Sequence, residues 1–371
     1  MALIRLFVLV LLQSWTVSNA FVPTLRYRSV SICVNVDKGF NILEQALIPQ
    51  GPLVATVKGG WRLLWKRMMA ELAPQNKNGS YERPKYSFDG RIGSDEFPDE
   101  PGRYHVYLGG PCPWCHRVQL ALNLRGISNN ELSSTQLIDD PTKASRGGWI
   151  LSRSDPDPLF SAFDLRGVYD GLSPGFSGRC TAPLLVDKKT KKIVSNESSD
   201  IVRMLNACKF GSAVTRRDLV PPGLVELIDT TNAWTYDFLN NGVYQCGFST
   251  TQNAYDEASH KVLEGLNKCN EILSHQPFLC GSDFTEADLR LLPTILRFDA
   301  AYAPLFKAGG VARIKDYPHL FRWMRQCWSI SSIPESIDLA QACGSYYAQL
   351  FPLNPGGIIP TPPSAKSLGL E

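Results

Sequence analysis

Hydrophobic and polar positions change their period several times along the chain. Tyr104, Val106 and Leu108 alternate with His105 and Tyr107, the period-two pattern of a strand. Gly109-Gly110-Pro111 interrupts it. Trp114, Val118, Ala121 and Leu122 then fall at i, i+4, i+7 and i+8, an apolar helical stripe. Pro113 suits the first turn of that helix, where its missing N–H leaves nothing unsatisfied, and Gly126 suits its C-terminal stop. Residues 184–186 and 193–194 are short apolar runs around Lys188-Lys189-Thr190-Lys191-Lys192, which predicts a hairpin with a solvated lysine turn. Ser198-Ser199-Asp200 introduces a helix whose stripe includes Ile201 and Leu205. From about residue 216 the pattern is helical throughout. There Thr285 and Asp288 have the spacing of a capping box, and Phe284 and Leu289 that of a hydrophobic staple. Leu289, Leu292 and Leu296 continue at helical spacing, and Pro293 is expected to kink this helix.

The first residues read as an address. Arg5 precedes an apolar run over residues 6–12, and Ser18 and Ala20 give a small-x-small cleavage pattern. This is the order of a signal peptide over 1–20, since the run is too short to span a bilayer. Residues 21–45 begin Phe21-Val22-Pro23, carry Arg26 and Arg28, and have no acid before Asp37, the composition of a transit peptide. The junction resembles the bipartite presequence of algal secondary plastids, so a plastid is expected, with plain secretion as the alternative. Residues 46–95 are expected to form an extension with little structure of its own, 96–215 a first domain, 216–345 an all-helical second domain and 346–371 a tail.

Composition narrows the classes. The 371 residues are 44% hydrophobic and 20% charged, an ordinary globular balance with room for two domains. A formal net charge of +3 is too small to point to nucleic acid or an anionic membrane. Ten cysteines, mostly scattered singly, are not a disulfide framework.

Two of those cysteines carry chemistry. Cys112 and Cys115 form a CPWC motif, with Cys112 at the mouth of the predicted helix after the predicted strand. Unpaired N–H groups and the helix dipole there stabilise an anion, pulling a cysteine pKa from roughly 8.5 into a range of about 3.5–7.5. Cys115-His116 also completes the literal c-type haem motif, and half a zinc site is a third reading. Strand–turn–helix context and Pro113 favour the thioredoxin-type redox reading. Zinc would want a second ligand pair, whereas His105, His260, His275 and His319 stand apart. Pro183 opens a strand where thioredoxin-like folds hold a cis proline, leaving the Ala182 backbone free to pair with a bound peptide. A helix start at Ser198 suits a carboxylate and Glu197 an ammonium, the charges at the γ-glutamyl end of glutathione; plain N-capping is the alternative. The sequon Asn196-Glu197-Ser198 would fall inside that site, where a glycan would block it.

These segments resemble the glutathionyl-hydroquinone reductases, the Xi class of glutathione transferases. The resemblance covers roughly residues 82–360 and rests on PGRYHVYLGGPCPWCHR, GGW, SGRCTAPLLVDKKTKKIVSNESSDIVRMLN, NNGVYQCGFSTTQNAYDEA, TEADLRLLPTILRFDAAY, DYPHLFRWMR and NPGGIIP. Many members carry alanine at the position of Cys115, though CPWC also occurs; FKAGGVARI departs from the usual run. The resemblance implies an α/β thioredoxin-like N-terminal domain followed by an all-α glutathione-transferase C-terminal domain. It implies Cys112 as nucleophile, with Trp149, Arg179, Ala182, Glu197 and Ser198 holding glutathione as co-substrate. Tyr244 and Tyr302 would line an aromatic substrate pocket and act on the leaving group. It also implies a homodimer, aromatic glutathionyl-hydroquinone substrates, and no metal, haem, nucleic acid or membrane partner. The rival readings are an Omega- or glutaredoxin-type thiol transferase or dehydroascorbate reductase, and a non-catalytic binding protein on the same fold. NNGVY and RFDAAY speak against the first, and intact Cys112, Glu197 and Ser198 against the second.

Overall fold

The computed structural model describes residues 50–84, 86–212 and 216–371. The signal and transit segments expected over 1–45 lie outside them, as do residues 46–49. Packing divides the chain into two compact units, 1–60 and 61–371. The described residues of the first unit are helical and mostly exposed; they open helix α1 (Gln50–Leu72). In the second unit, residues 61–95 of the expected 46–95 extension are not loosely structured. Met69 and Ala73 are buried in the main core, and Gln75 Nε2 donates to the Phe248 carbonyl at 2.9 Å. Past α1 this stretch takes its order from the surface it packs on, so it carries no hydrophobic period of its own to read.

Five strands form one sheet in the order β3-β2-β1-β4-β5: β1 (Tyr104–Gly109), β2 (Leu132–Asp139), β3 (Trp149–Leu151), β4 (Leu184–Asp187) and β5 (Lys192–Ser195). β1 runs parallel to β2 and antiparallel to β4, and β3 and β5 are antiparallel edges. Every position of β1 is buried. Its polar members find partners inside: His105 Nδ1 lies 2.8 Å from Ser133 Oγ, while its Nε2 has none, and Tyr107 donates to Asp157 at 2.5 Å. A central strand covered on both faces leaves alternation no solvent side.

Helix α2 (Pro113–Arg125) begins and ends as its sequence dictates. Cys112 is the N-cap in extended geometry, and Gly126 sits at φ 62° beyond the last turn. Ile127 N–H then reaches back to the Leu122 carbonyl at 2.9 Å, the bond a left-handed C-terminal residue makes possible. Helix α3 (Leu165–Leu172) precedes the β4–β5 hairpin, whose turn is the lysine run, and α4 (Ser198–Ala207) follows it.

The remainder is helical: α5 (Val225–Thr235), α6 (Gly242–Phe248), α7 (Gln252–His275), α8 (Glu286–Arg297), α9 (Pro318–Trp328) and α10 (Leu339–Gln349). The capping box of α8 is formed in both directions, with Phe284 and Leu289 both buried. Asp288 is fully buried and also accepts from Leu279 N–H at 2.9 Å and Trp323 Nε1 at 2.8 Å. Removing that carboxylate would orphan several buried donors at about 1–3 kcal/mol each. Helix α8 continues unbroken through Pro293; regular α-helix gives way only after Arg297, in a π-helical turn over Phe298–Tyr302. A second π-helical turn, Tyr236–Asn240, links α5 towards α6. The result is a thioredoxin-like α/β part followed by an all-α part.

Candidate active site

The turn between β1 and α2 presents Cys112. Its Sγ accepts from Cys115 N–H at 3.5 Å and lies 3.7 Å from the Ala182 carbonyl, beside the cis Ala182–Pro183 bond. Burial raises the Cys112 pKa, but the Cys115 thiol, the N–H groups of Cys115 and Trp114, and the charge of Arg297 outweigh it, leaving the value lowered to about 7. Cys115 is buried one turn in. Burial, its hydrogen bond to Cys112 and the Cys112 charge push its thiol far up. The pair therefore divides into a thiolate former and a held thiol. His116 does not complete a haem motif in space: its Nε2 is 2.8 Å from Ser336 Oγ, and its Nδ1 is 3.2 Å from Arg297.

A cavity of about 300 Å³ adjoins this turn. Arg179, Ala182 and Tyr244 line it, whereas Glu197, Ser198 and Tyr302 are not among its lining residues. Arg179 is already engaged, donating to the carbonyls of Leu72 at 2.9 Å and Glu71 at 3.1 Å. Asn196 is buried at the same wall, its amide donating to Tyr169 OH and Thr181 Oγ1, each at 3.2 Å. A glycan on that nitrogen would remove at least one of the two donors. Glu197 caps α4, accepting from Ser199 N–H at 3.0 Å and from the Ser198 hydroxyl at 3.1 Å. Burial raises the Glu197 pKa, but the Ser199 N–H and the charges of Arg83 and Arg117 outweigh it and hold the carboxyl below its usual range. Trp149 stands apart from the lining residues. Its indole covers Gly109, where an added Cβ would fall 2.5 Å from the ring. A larger cavity of about 450 Å³ includes Cys115, His116 and Gly110 in its wall, but none of Arg179, Ala182 and Tyr244.

Tyr302 is fully buried, and its hydroxyl lies 2.6 Å from Tyr346 OH. Tyr346 OH is 2.7 Å from Tyr244 OH, and Tyr244 and Tyr302 are 3.4 Å apart. Burial raises all three pKa values, so these groups stand as neutral phenols able to donate. Tyr244 also stacks on Trp114, ring centroids 6.0 Å apart, which ties the cluster to the helix that starts at Cys112.

Residues 111–208 match the family model described as glutathione S-transferase, N-terminal domain, and residues 252–326 the one described as glutathione S-transferase, C-terminal domain. Glutathionyl-hydroquinone reductase PcpF of Sphingobium chlorophenolicum is 37% identical over 317 residues, 85% of this chain and 97% of the relative. The chain belongs to the glutathionyl-hydroquinone reductases, the Xi class of glutathione transferases. Among solved Xi-class relatives, the Phanerochaete chrysosporium glutathione S-transferase Xi superposes with a TM-score of 0.71 at 35% identity, covering 78% of this chain and 94% of that one. The glutathione-bound YqjG of Escherichia coli K-12 gives 0.67 at 35% identity, covering 78% and 96%.

This Xi-class site contains residues the sequence reading passed over. Tyr346, at the centre of the phenols, sits in α10, within the stretch where family motifs fade. Arg83 and Tyr86 come from the stretch taken as an unstructured extension, and both line the cavity. Arg83 lies 3.7 Å above the Trp114 ring and donates to Tyr86 OH at 2.8 Å. Arg117 approaches the same indole at 4.5 Å. Neither Nη1 nor Nη2 of this buried arginine has a partner. A tyrosine beside a second tyrosine in α10 was the available signal for Tyr346; for Arg83 there was none.

Proposed function

We propose that this glutathione-dependent reductase removes glutathione from S-glutathionyl hydroquinones through a mixed disulfide on Cys112. The Cys112 thiolate attacks the sulfur that joins glutathione to the ring. The carbon–sulfur bond breaks, its electron pair goes to the ring carbon, and a phenol of the Tyr244–Tyr302–Tyr346 cluster delivers the proton to that carbon. The products are Cys112–S–S–glutathione and the free hydroquinone. The thiolate of a second glutathione attacks the mixed disulfide, giving oxidised glutathione and returning Cys112 as thiolate. Cys115, with its pKa held high, is not needed for that step.

The carrying observation is a thiol with a pKa of about 7 beside a cavity lined by Trp114, Ala182 and Tyr244, with Tyr244 joined to Tyr302 and Tyr346 through their hydroxyls. Two features of the wall support glutathione as the ligand. Arg83 and Arg179 line the wall, and the carboxylate of Glu197 lies within reach of the charges of Arg83 and Arg117, an excess of cations that suits a peptide with two carboxylates and one ammonium. Ala182 offers its backbone beside the nucleophile. The deciding experiment offers glutathionyl-hydroquinone, dehydroascorbate and a small disulfide in parallel and follows products. Preferred consumption of the first with release of hydroquinone and oxidised glutathione is expected; preferred turnover of either other substrate overturns the assignment.

From the order of residues 1–45 we further propose delivery to a plastid. A fluorescent fusion of that segment should reach the plastid, and Phe21→Ala should divert it to the secretory route. Secretion of the unmutated fusion overturns the proposal.

A further inference from the structure

We infer that Arg297 is the counter-charge of the active site: a fully buried guanidinium with no carboxylate of its own, whose anion is supplied by the Cys112 thiolate and, during turnover, by the phenol that has given up its proton. This rests on the mechanism proposed above and adds a positioning residue to it. Arg297 ends α8 and has no exposed surface. Its Nη1 donates to the Pro293 carbonyl at 3.0 Å and lies 3.2 Å from His116 Nδ1; its Nη2 donates to the Pro111 carbonyl at 3.2 Å. Its Nε has no partner.

Every one of those acceptors is neutral. His116 is kept uncharged by burial and by Arg297 itself. No ion pair among the described residues involves Arg297. Arg103 and Arg203 meet the buried carboxylates of Asp187 and Glu286; Arg117 and Arg125 are, like Arg297, buried with only carbonyl acceptors, but the charge of Arg297 is the one that bears on Cys112. A buried charge left without its opposite is costly, so its retention calls for an anion formed in place.

The titratable groups around it are Cys112, Cys115 and His116 at the start of α2, Tyr302 in the π-helical turn, and Cys343 and Tyr346 in α10. Tyr244 of α6 joins through the phenol cluster. Glu335 and Asp338 also border the neighbouring cavity that contains His116, but both are exposed. The Arg297 charge acts to lower the pKa of Cys112, Tyr302 and Tyr346 together. One guanidinium thus serves both the nucleophile and the proton donor, and its bond to Pro111 fixes the carbonyl next to Cys112 in the chain.

The test compares the full-length protein with Arg297→Met and Arg297→Lys. The rate of iodoacetamide alkylation, located at Cys112 by peptide fragmentation, is followed against pH without substrate. Arg297→Met is expected to raise the midpoint by about one unit and to cut the rate at pH 7 about fivefold, with Arg297→Lys recovering most of the loss. An unchanged midpoint in Arg297→Met, or a lysine variant no better than the methionine one, overturns the inference. Should Arg297→Met fail to fold, the unmodified protein is titrated at low and high salt. A buried counter-charge leaves the Cys112 midpoint in place, whereas an upward drift with salt assigns it to exposed charges and overturns the inference. Because no quinone is present, failure to process glutathionyl-hydroquinone would refute the mechanism while leaving this result standing.

Discussion

Around Cys112 the hydrogen-bond donors that favour the thiolate lie within a few residues of it, with Arg297 the one distant charge; around Tyr346 every partner comes from a distant part of the chain. The thiol is an N-cap, and neighbouring N–H groups lower its pKa. The phenol contacts instead join residues 44, 58 and 102 positions apart. A nucleophile made by one turn of backbone survives most changes elsewhere. A proton donor made by three helices exists only when all of them are packed. The two halves should therefore fail differently when perturbed.

The largest effect is expected at the local half. Cys112→Ser should lower turnover by at least about a thousandfold, because a hydroxyl supplies no thiolate and the other groups act only through it. Intact-mass analysis should find no glutathione adduct on the variant, and substantial turnover would break the scheme. Tyr346→Phe tests the distant half. It removes the hydroxyl that bridges the other two, and kcat should fall about a hundredfold with little change in KM for glutathione. A rise in KM with kcat intact would make the cluster a binding wall rather than a proton source.

The acid limb of the pH profile sharpens the contrast. The reactive form of Cys112 is the thiolate, present above its pKa of about 7 and lost below it. In steady-state assays kcat/KM should therefore fall about tenfold per unit well below pH 7. The phenols, pushed above their ordinary range by burial, should add no basic limb between about pH 8 and 9. A profile flat down to pH 5 would assign the limb to another group. The smallest effect is expected for Cys115→Ala, which should keep most activity when glutathione is plentiful. Accumulation of glutathionylated Cys112 in that variant would instead show Cys115 to be the resolving thiol.

The same contrast explains what could be read from the sequence. The strand before Cys112, the caps at Cys112 and Gly126, the lysine hairpin and the capping box at Thr285 and Asp288 are all local, and each has a spacing that announces it. Tyr244 and Tyr302 were legible only through motif resemblance, and Tyr346, in a stretch without such motifs, was not. Arg83 was lost for another reason: its segment is ordered by what it covers, and no periodicity records that. The alternation of His105 and Tyr107 with apolar neighbours announced the strand but not that both of its faces are covered.

The grip of Arg179 on the last carbonyls of α1 sets a limit on maturation. Those carbonyls belong to Glu71 and Leu72, at a helix C-terminus, where partial negative charge favours a cation. A processing peptidase that cuts upstream of the helix leaves them untouched. One that trims past Glu71 strips Arg179 of its anchor and removes part of the cavity wall at Leu72. On the proposed plastid route, a cut that preserves this anchor and the cavity wall would have to fall upstream of Glu71.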